Sequence, residues 1–247
     1  MNTIVGIPYD SERGIRHLCH EAVARTASPA HLVPQKSFKI RLADSDGRRS
    51  AASMLISKMY AWRGYTSSGR LDLDPNRVTL LASDGERTIG TLSIHFDSAQ
   101  GLLVEQLFRE QVDPVRQRGR RVCEFVKLAI DGEIKSKRVL AALFHISLIY
   151  AYRLRRHTDL FIEVNPRHVR FYQQMLDFSR LGEPQLNPRV NAPAVLLWKD
   201  LIEAHQQAQQ FGGRPELAAV EKSFYPYFFS PDEEQGIANR LLQMDMH

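Results

Sequence analysis

The sequence is short of cysteine and has no membrane-length apolar run. Cys19 and Cys123 are its two thiols in 247 residues. That is too few for a disulfide framework and points to a reducing compartment. The longest uncharged stretch, VLAALFHISLIYAY at residues 139–152, falls short of the roughly 20 residues a spanning helix needs, so it reads as a buried helix. The start, MNTIVGIPYDSERGIRH, lacks the charged end, apolar run and small-residue cleavage site of a secretory signal. A cytoplasmic protein without a transmembrane segment is the expectation. No P-loop and no Rossmann glycine fingerprint occur. His17, Cys19 and His20 form one fragment with metal-ligand chemistry, but no second cluster follows at metal spacing, so no metal is expected.

What is present is ordinary globular composition: 43% apolar, 25% charged, with 33 basic against 28 acidic residues giving +5. Collagen-like, low-complexity and wholly disordered chains are excluded. The basic surplus favours an acidic partner. It concentrates in RQRGRR, where Arg116, Arg118, Arg120 and Arg121 precede a strand. No aromatic residue is interleaved there, which argues against single-stranded nucleic acid.

Hydrophobic periodicity predicts strands at 37–43, 78–82, 88–97, 122–130, 159–164 and 194–201. Asp84-Gly85 marks a hairpin between the second and third of these. Asp44 and Asp46 offer N-caps for a helix carrying Ala52, Leu55, Ile56, Met59 and Trp62 inward. Further helices are expected at 102–119, broken at Pro114, at 137–156 and at 166–177. The last has Asn165 as cap and Pro166 in the first position. Strand 122–130 is apolar enough to lie centrally, buried on both faces. Residues 1–35 read as an extension with one short helix near 15–25, 36–202 as the core, and 203–247 as a helical extension whose FYPYFF run covers an apolar slot or docks a second chain. Strand–helix–strand alternation in the second half demands right-handed crossover and parallel pairing, while the hairpin makes the first half antiparallel. The fold class is α/β, a mixed twisted sheet with helices on both faces.

This order resembles the GNAT acyltransferase fold, with a splayed pair of parallel strands at its centre. In IEVNPRHVRFYQQMLDF (162–178), Asn165 and Tyr172 keep a GNAT spacing of seven; His168 stands where a small residue is common, Asp177 where glycine is, and Phe178 falls one residue late. A closer resemblance is to the N-acyl amino acid synthases, relatives of the LuxI-type acyl-homoserine-lactone synthases. It rests on WRGY (62–65), TIGTLSIHFDS (88–98), RGRRVCEFVKLAID (118–131), IEVNPRHVRFY (162–172) and VNAPAVLL (190–197), in family order. Many CoA-dependent relatives carry Arg/Gln-x-x-Gly-x-Gly/Ala after the central strand, to hold a pyrophosphate at a helix N-terminus. Here that stretch is AIDGEIKSKRVL (129–140), with one glycine. The resemblance therefore implies acyl carrier protein as donor, through its phosphopantetheine thioester, with an amino acid as acceptor and no permanently bound cofactor.

Amide formation from a thioester needs a neutral amine, a stabilised oxyanion and a leaving thiol. Glu124, on the buried central strand, is the candidate base; pairing with Lys127 for structure is the alternative. By resemblance, Tyr172 assists the leaving thiol, and backbone groups at Lys127, Leu128, Ala129 and Asn165 serve donor and oxyanion. Arg63 and Tyr65 follow the first helix and face the acceptor, with Arg63 suited to a carboxylate. Asp97, at a strand end, and His168, on a helix face, complete that side. The arginine run is the expected landing patch for an acidic carrier. Two other readings stay open: an acyl-homoserine-lactone synthase, and a non-catalytic basic module for nucleic acid or lipid.

Overall fold

The computed structural model describes residues 3–9, 37–65 and 69–245. The predicted strands appear, with two more. The order is β1 (Thr3–Pro8), β2 (Ser37–Leu42), α1 (Asp46–Trp62), β3 (Arg77–Asp84), β4 (Arg87–Phe96), α2 (Glu105–Gln117), β5 (Val122–Ile130), α3 (Lys137–Leu148), β6 (Asp159–Val164), α4 (Val169–Leu176), β7 (Ser179–Asn187), β8 (Ala192–Asp200), α5 (Leu201–Phe211) and α6 (Pro231–Asp245). A π-helical turn, Ile149–Leu154, extends α3. All eight strands join one sheet, ordered β1-β2-β3-β4-β5-β6-β8-β7. Every neighbouring pair is antiparallel except β5 and β6, which the α3 crossover makes parallel; β6 and β8, expected to pair parallel from strand–helix–strand order, run antiparallel because β7 intervenes between α4 and β8.

Side-chain alternation sends successive strand residues to opposite faces. Leu80, Leu92, Phe125, Ile162 and Leu197 pack with α3 and α5 on one face. Val122, Phe161 and Leu196 meet α2 on the other, and Leu81 and Ala129 meet α1. The hairpin turns at Gly85, whose φ of 55° suits a residue without Cβ. The N-cap of α1 is Ser45, lying between the two aspartates expected to cap it; Asp46 falls in the first turn. Trp62, expected inward, is 77% exposed; burial along α1 ends at Met59.

Three other expectations are corrected. Pro114 lies within α2 on an exposed position without breaking it; the non-helical residue is Phe108. Residues 179–187, predicted as loop, form the edge strand β7. Its side chains are mostly exposed, and the register shifts between Leu181 and Gln185, around Pro184. An edge tolerates proline because one side of the strand needs no ladder donor. Residues 3–8 are a strand on β2, with Ile4 and Ile7 buried. The helix expected near 15–25 and the His17–His20 fragment lie outside the described residues.

The C-terminal elements pack onto the α3 face. His145, fully buried on α3, lies 3.2 Å from Glu234 of α6 and accepts the Phe229 N–H at 3.0 Å. Phe228 stacks on its ring at 4.5 Å. Phe224, Tyr225, Phe228 and Phe229 of the FYPYFF run are thus core residues. Each such side chain contributes about 1.5–3 kcal/mol by burial.

Candidate active site

The parallel ladder of β5 and β6 is short. Val122, Cys123 and Glu124 pair with Asp159, Leu160 and Phe161, and pairing stops there, although β5 continues to Ile130 and β6 to Val164. A cavity of about 310 Å³ fills the resulting gap, walled by Val126, Lys127 and Leu128 on one side and by Ile162 and Val164 on the other. The strand predicted to be buried throughout is therefore only half-buried at 126–128.

A bulge bends β5 at the same point. Ser93 pairs with Val126 but Thr91 with Ala129, so two residues of β5, Lys127 and Leu128, oppose Leu92 alone on β4. Lys127 takes up the extra length with φ 55°, a left-handed backbone uncommon for a residue with a Cβ. Thr91 Oγ1 donates to Lys127 O at 3.0 Å and pins it. The Lys127 amine reaches Arg70 O at 2.8 Å, and burial lowers its pKa. No Glu124–Lys127 pair exists.

Glu124 itself is fully buried and lines the cavity. Its Oε1 accepts the Leu103 N–H at 2.7 Å and lies 2.8 Å from His95 Nδ1; its Oε2 accepts the Val104 N–H at 3.0 Å. Leu103 and Val104 lead into α2, whose N-cap has no side-chain bond of its own. The carboxylate thus sits at the first turn of α2, where the free N–H groups of Leu103 and Val104 favour an anion. Oε1 has two partners and is saturated. Oε2 has one, which leaves it a lone pair free. His95 continues outward, its Nε2 lying 3.7 Å from Asp74.

Tyr172, also on the cavity wall, packs edge-on against Phe144 at 6.2 Å. Burial pushes its hydroxyl pKa up, and among the described residues that hydroxyl has no hydrogen-bond partner. Asn165 caps the turn into α4 by accepting the Arg167 N–H at 3.2 Å. His168 follows it, and its pKa is lowered by burial, then by Arg167 and Arg63. Arg63 caps the end of α1 at the rim, and Tyr65 packs on Tyr60 edge-on at 5.9 Å. Arg63, Tyr65, Lys127, Leu128, Asn165 and His168 all line the cavity with Glu124 and Tyr172.

Other predicted residues lie elsewhere. Ala129 packs under α1. Asp97 is a bidentate partner of Arg116 at 2.7 and 2.8 Å. Arg116 also holds Asp113 and Glu105, and Arg120 holds Asp159 and Asp200. Arg118 and Arg121 remain exposed. Cys123 points to the face opposite Glu124 and is fully buried, which pushes its thiol pKa well up. A thiol so placed is inert. Among the described residues no cluster could hold a metal ion.

Five lining or supporting residues were not singled out from the sequence. Tyr60 lines the inner corner, its pKa pushed up to about 12 by burial. Glu163, two residues beyond Phe161, is raised by burial and bonded to Arg189 at 2.8 Å and to Asn187. His95 was legible as a polar position on β4, but its pairing with Glu124 depends on antiparallel register. Arg189 and Asn187 sit at a turn whose strands were not both recognised.

Comparison with known proteins agrees with this geometry. A family model for the N-acyl amino acid synthase FeeM matches residues 51–200. The solved structure of FeeM, an N-acyl amino acid synthase from uncultured soil microbes, is 27% identical with TM-score 0.63, covering 70% of this chain and 96% of that one. An acyl-CoA N-acyltransferase from Pseudomonas aeruginosa is 16% identical with TM-score 0.47, covering 66% of this chain and 97% of that one. The AHL synthase LasI is 14% identical with TM-score 0.47, covering 67% and 91%. No curated protein sequence matches. The matched segment holds the whole of β5 and β6 and the carboxylate between them, and the chain belongs to the FeeM family of N-acyl amino acid synthases, N-acyltransferases of GNAT fold.

Proposed function

We propose that this N-acyltransferase moves a fatty acyl group from the phosphopantetheine thioester of acyl carrier protein to the α-amine of an amino acid, in the cytoplasm. The observation that carries the reading is the gap beyond Glu124, which opens beside a buried carboxylate with one lone pair free. A slot walled by two diverging strands suits an extended thioester arm. Phe125 and Phe144 line its inner end and also border a second small apolar cavity, which suits an acyl chain.

The balance is thioester plus ammonium giving amide, thiol and one proton. Glu124 Oε2 takes a proton from the ammonium, and the freed amine attacks the carbonyl carbon. The oxyanion faces the bulged backbone at Lys127 and Leu128 and collapses as the C–S bond breaks. A thiol has pKa about 8.5, so sulfur leaves as thiolate and then takes the second proton, which the attacking nitrogen sheds as the amide forms, giving the free thiol. Burial keeps the Tyr172 proton on its oxygen, so Tyr172 serves as a hydrogen-bond donor to that sulfur rather than surrendering the proton. Arg63 and Tyr65 on the rim, with His168, meet the acceptor.

Two features support a carrier protein over CoA. The stretch 129–140 lacks the glycine spacing that holds a pyrophosphate, and a carrier arm has a single phosphate. Arg118 and Arg121 are exposed cations beside the sheet, although Arg116 and Arg120 are committed to internal carboxylates. The test is to offer one acyl chain on acyl carrier protein or on CoA, with mixed amino acids, and to follow amide by mass spectrometry. Faster amide formation from the carrier is expected. Amide from CoA alone would overturn the donor, and amide from neither would overturn the transfer.

A further inference from the structure

We infer that Arg189, held by Glu163 and Asn187, takes the α-carboxylate of the acceptor. This rests on the cleft being the amine-acylating site proposed above.

Arg189 lies in the four-residue turn closing β7 onto β8, where Asn187 pairs with Ala192. Asn191 has φ 47°, and Asn187 Oδ1 accepts the Arg189 N–H at 2.8 Å, so the turn is fixed at both ends. The same Oδ1 takes Arg189 Nε at 3.4 Å, and Glu163 Oε2 takes Nη2 at 2.8 Å. Asn187 Nδ2 donates to the other oxygen of Glu163. Each Glu163 oxygen thereby has one partner, and the three side chains form one hydrogen-bonded unit.

A guanidinium has five N–H donors. Here Nη1 has no partner among the described residues, although Arg189 lines the cavity. The Glu163–Arg189 pair is neutral, and Arg63 adds a further positive charge at the same corner: both arginines lower the proton affinity of Tyr60. Among the described residues no carboxylate pairs with Arg63. The corner thus has cationic capacity left, in the cavity that Glu124 also lines. An amino acid zwitterion has the matching polarity, its ammonium toward Glu124 and its carboxylate toward Arg189. Arg63 is exposed and must be ordered on binding, whereas Arg189 is already clamped, and a preorganised planar fork is the better carboxylate receptor.

The test uses the amino acid giving most product, its methyl ester and its decarboxylated amine. Wild type is expected to favour the free acid by about 10- to 100-fold in kcat/KM, the range for a charge-assisted hydrogen bond. Arg189→Met should lower kcat/KM for the free acid by that factor and leave the ester and the amine unchanged. Glu163→Gln, which loosens the clamp, should raise KM for the acid with kcat kept. An equal loss on all three acceptors in Arg189→Met would reveal a merely structural arginine and overturn the inference. So would a wild type that does not distinguish acid from ester. If Arg189→Met fails to fold, Arg189→Lys keeps the charge without the fork; its preference should fall partway, and an unchanged preference overturns the inference. Absence of amide from every acceptor in wild type is a different result, which removes the acyl-transfer reading itself.

Discussion

Replacing Glu124 by Gln removes the proton acceptor while keeping the side chain's length. An α-amine of pKa about 8 is about one-tenth neutral at pH 7, so an enzyme limited to amine that has already lost its proton forfeits about tenfold. A positioned base contributes about 10²–10⁴-fold in all, which sets the expected loss in Glu124→Gln. The tenfold part should return as pH rises to 9, because solvent then deprotonates the amine, and the remainder should not. Stability should suffer less. A glutamine carbonyl can still accept from Leu103 and His95, but its amide then faces the Val104 N–H, donor against donor. One buried donor left unpaired costs about 1–3 kcal/mol, partly offset because no charge is buried. Single-turnover amide formation from acyl carrier protein at pH 7 and 9, with thermal unfolding of each variant, measures both effects. Tyr172→Phe should slow turnover less, since thiolate leaves without a full proton donor. The opposite order, or a Glu124→Gln loss that does not shrink with pH, would refute the assignment.

Three further outcomes are expected. His95→Gln keeps a donor for Glu124 Oε1 but ends the link to Asp74, and should lower kcat by about tenfold with KM nearly unchanged; full activity would show that the pairing is incidental. Gly101 has φ 73°, and a Cβ there would stand 3.1 Å from both Glu105 oxygens. Gly101→Ala should therefore cost about 1–2 kcal/mol, read as a lower Tm, and should also disturb the Leu103 and Val104 N–H groups that hold Glu124. Burial holds His157 at about 4, against 6.5 for a free imidazole. Its folded pKa is depressed, so its contribution to stability is complete above pH 6.5 and drains away as pH falls from 6.5 toward 4, where the unfolded chain binds the proton first. Urea unfolding at pH 7 and 5 should show this decline, with a flatter profile in His157→Gln.

The cleft shows why some of the site was readable in the sequence and some was not. Glu124 stands out because a carboxylate among Val, Cys, Phe and Val is costly to bury without a purpose. Tyr172 and Asn165 are fixed by spacing within one strand–turn–helix segment, which is local. His95 is different: it meets Glu124 across two antiparallel strands, and a slip of one residue would send it to the other face. The arginine run misleads for a related reason. Arg116 and Arg120 look like a solvated patch, but Asp97, Glu105, Asp159 and Asp200 come to them from other elements. The β7 strand was hidden because an exposed edge with Pro184 has neither apolar alternation nor good β propensity.

Local pattern was enough for six of the eight strands, the crossover that makes β5 and β6 parallel, and the carboxylate on the central strand, because periodicity, turn chemistry and burial cost act locally. The tertiary structure alone decided where β5 leaves β6, which N–H groups cap Glu124, and how Glu163 and Asn187 aim Arg189. Those depend on register, on a bulge and on contacts between residues 20 or more apart in the chain, such as Glu124 with Val104 and Asn187 with Glu163, and no local pattern encodes them.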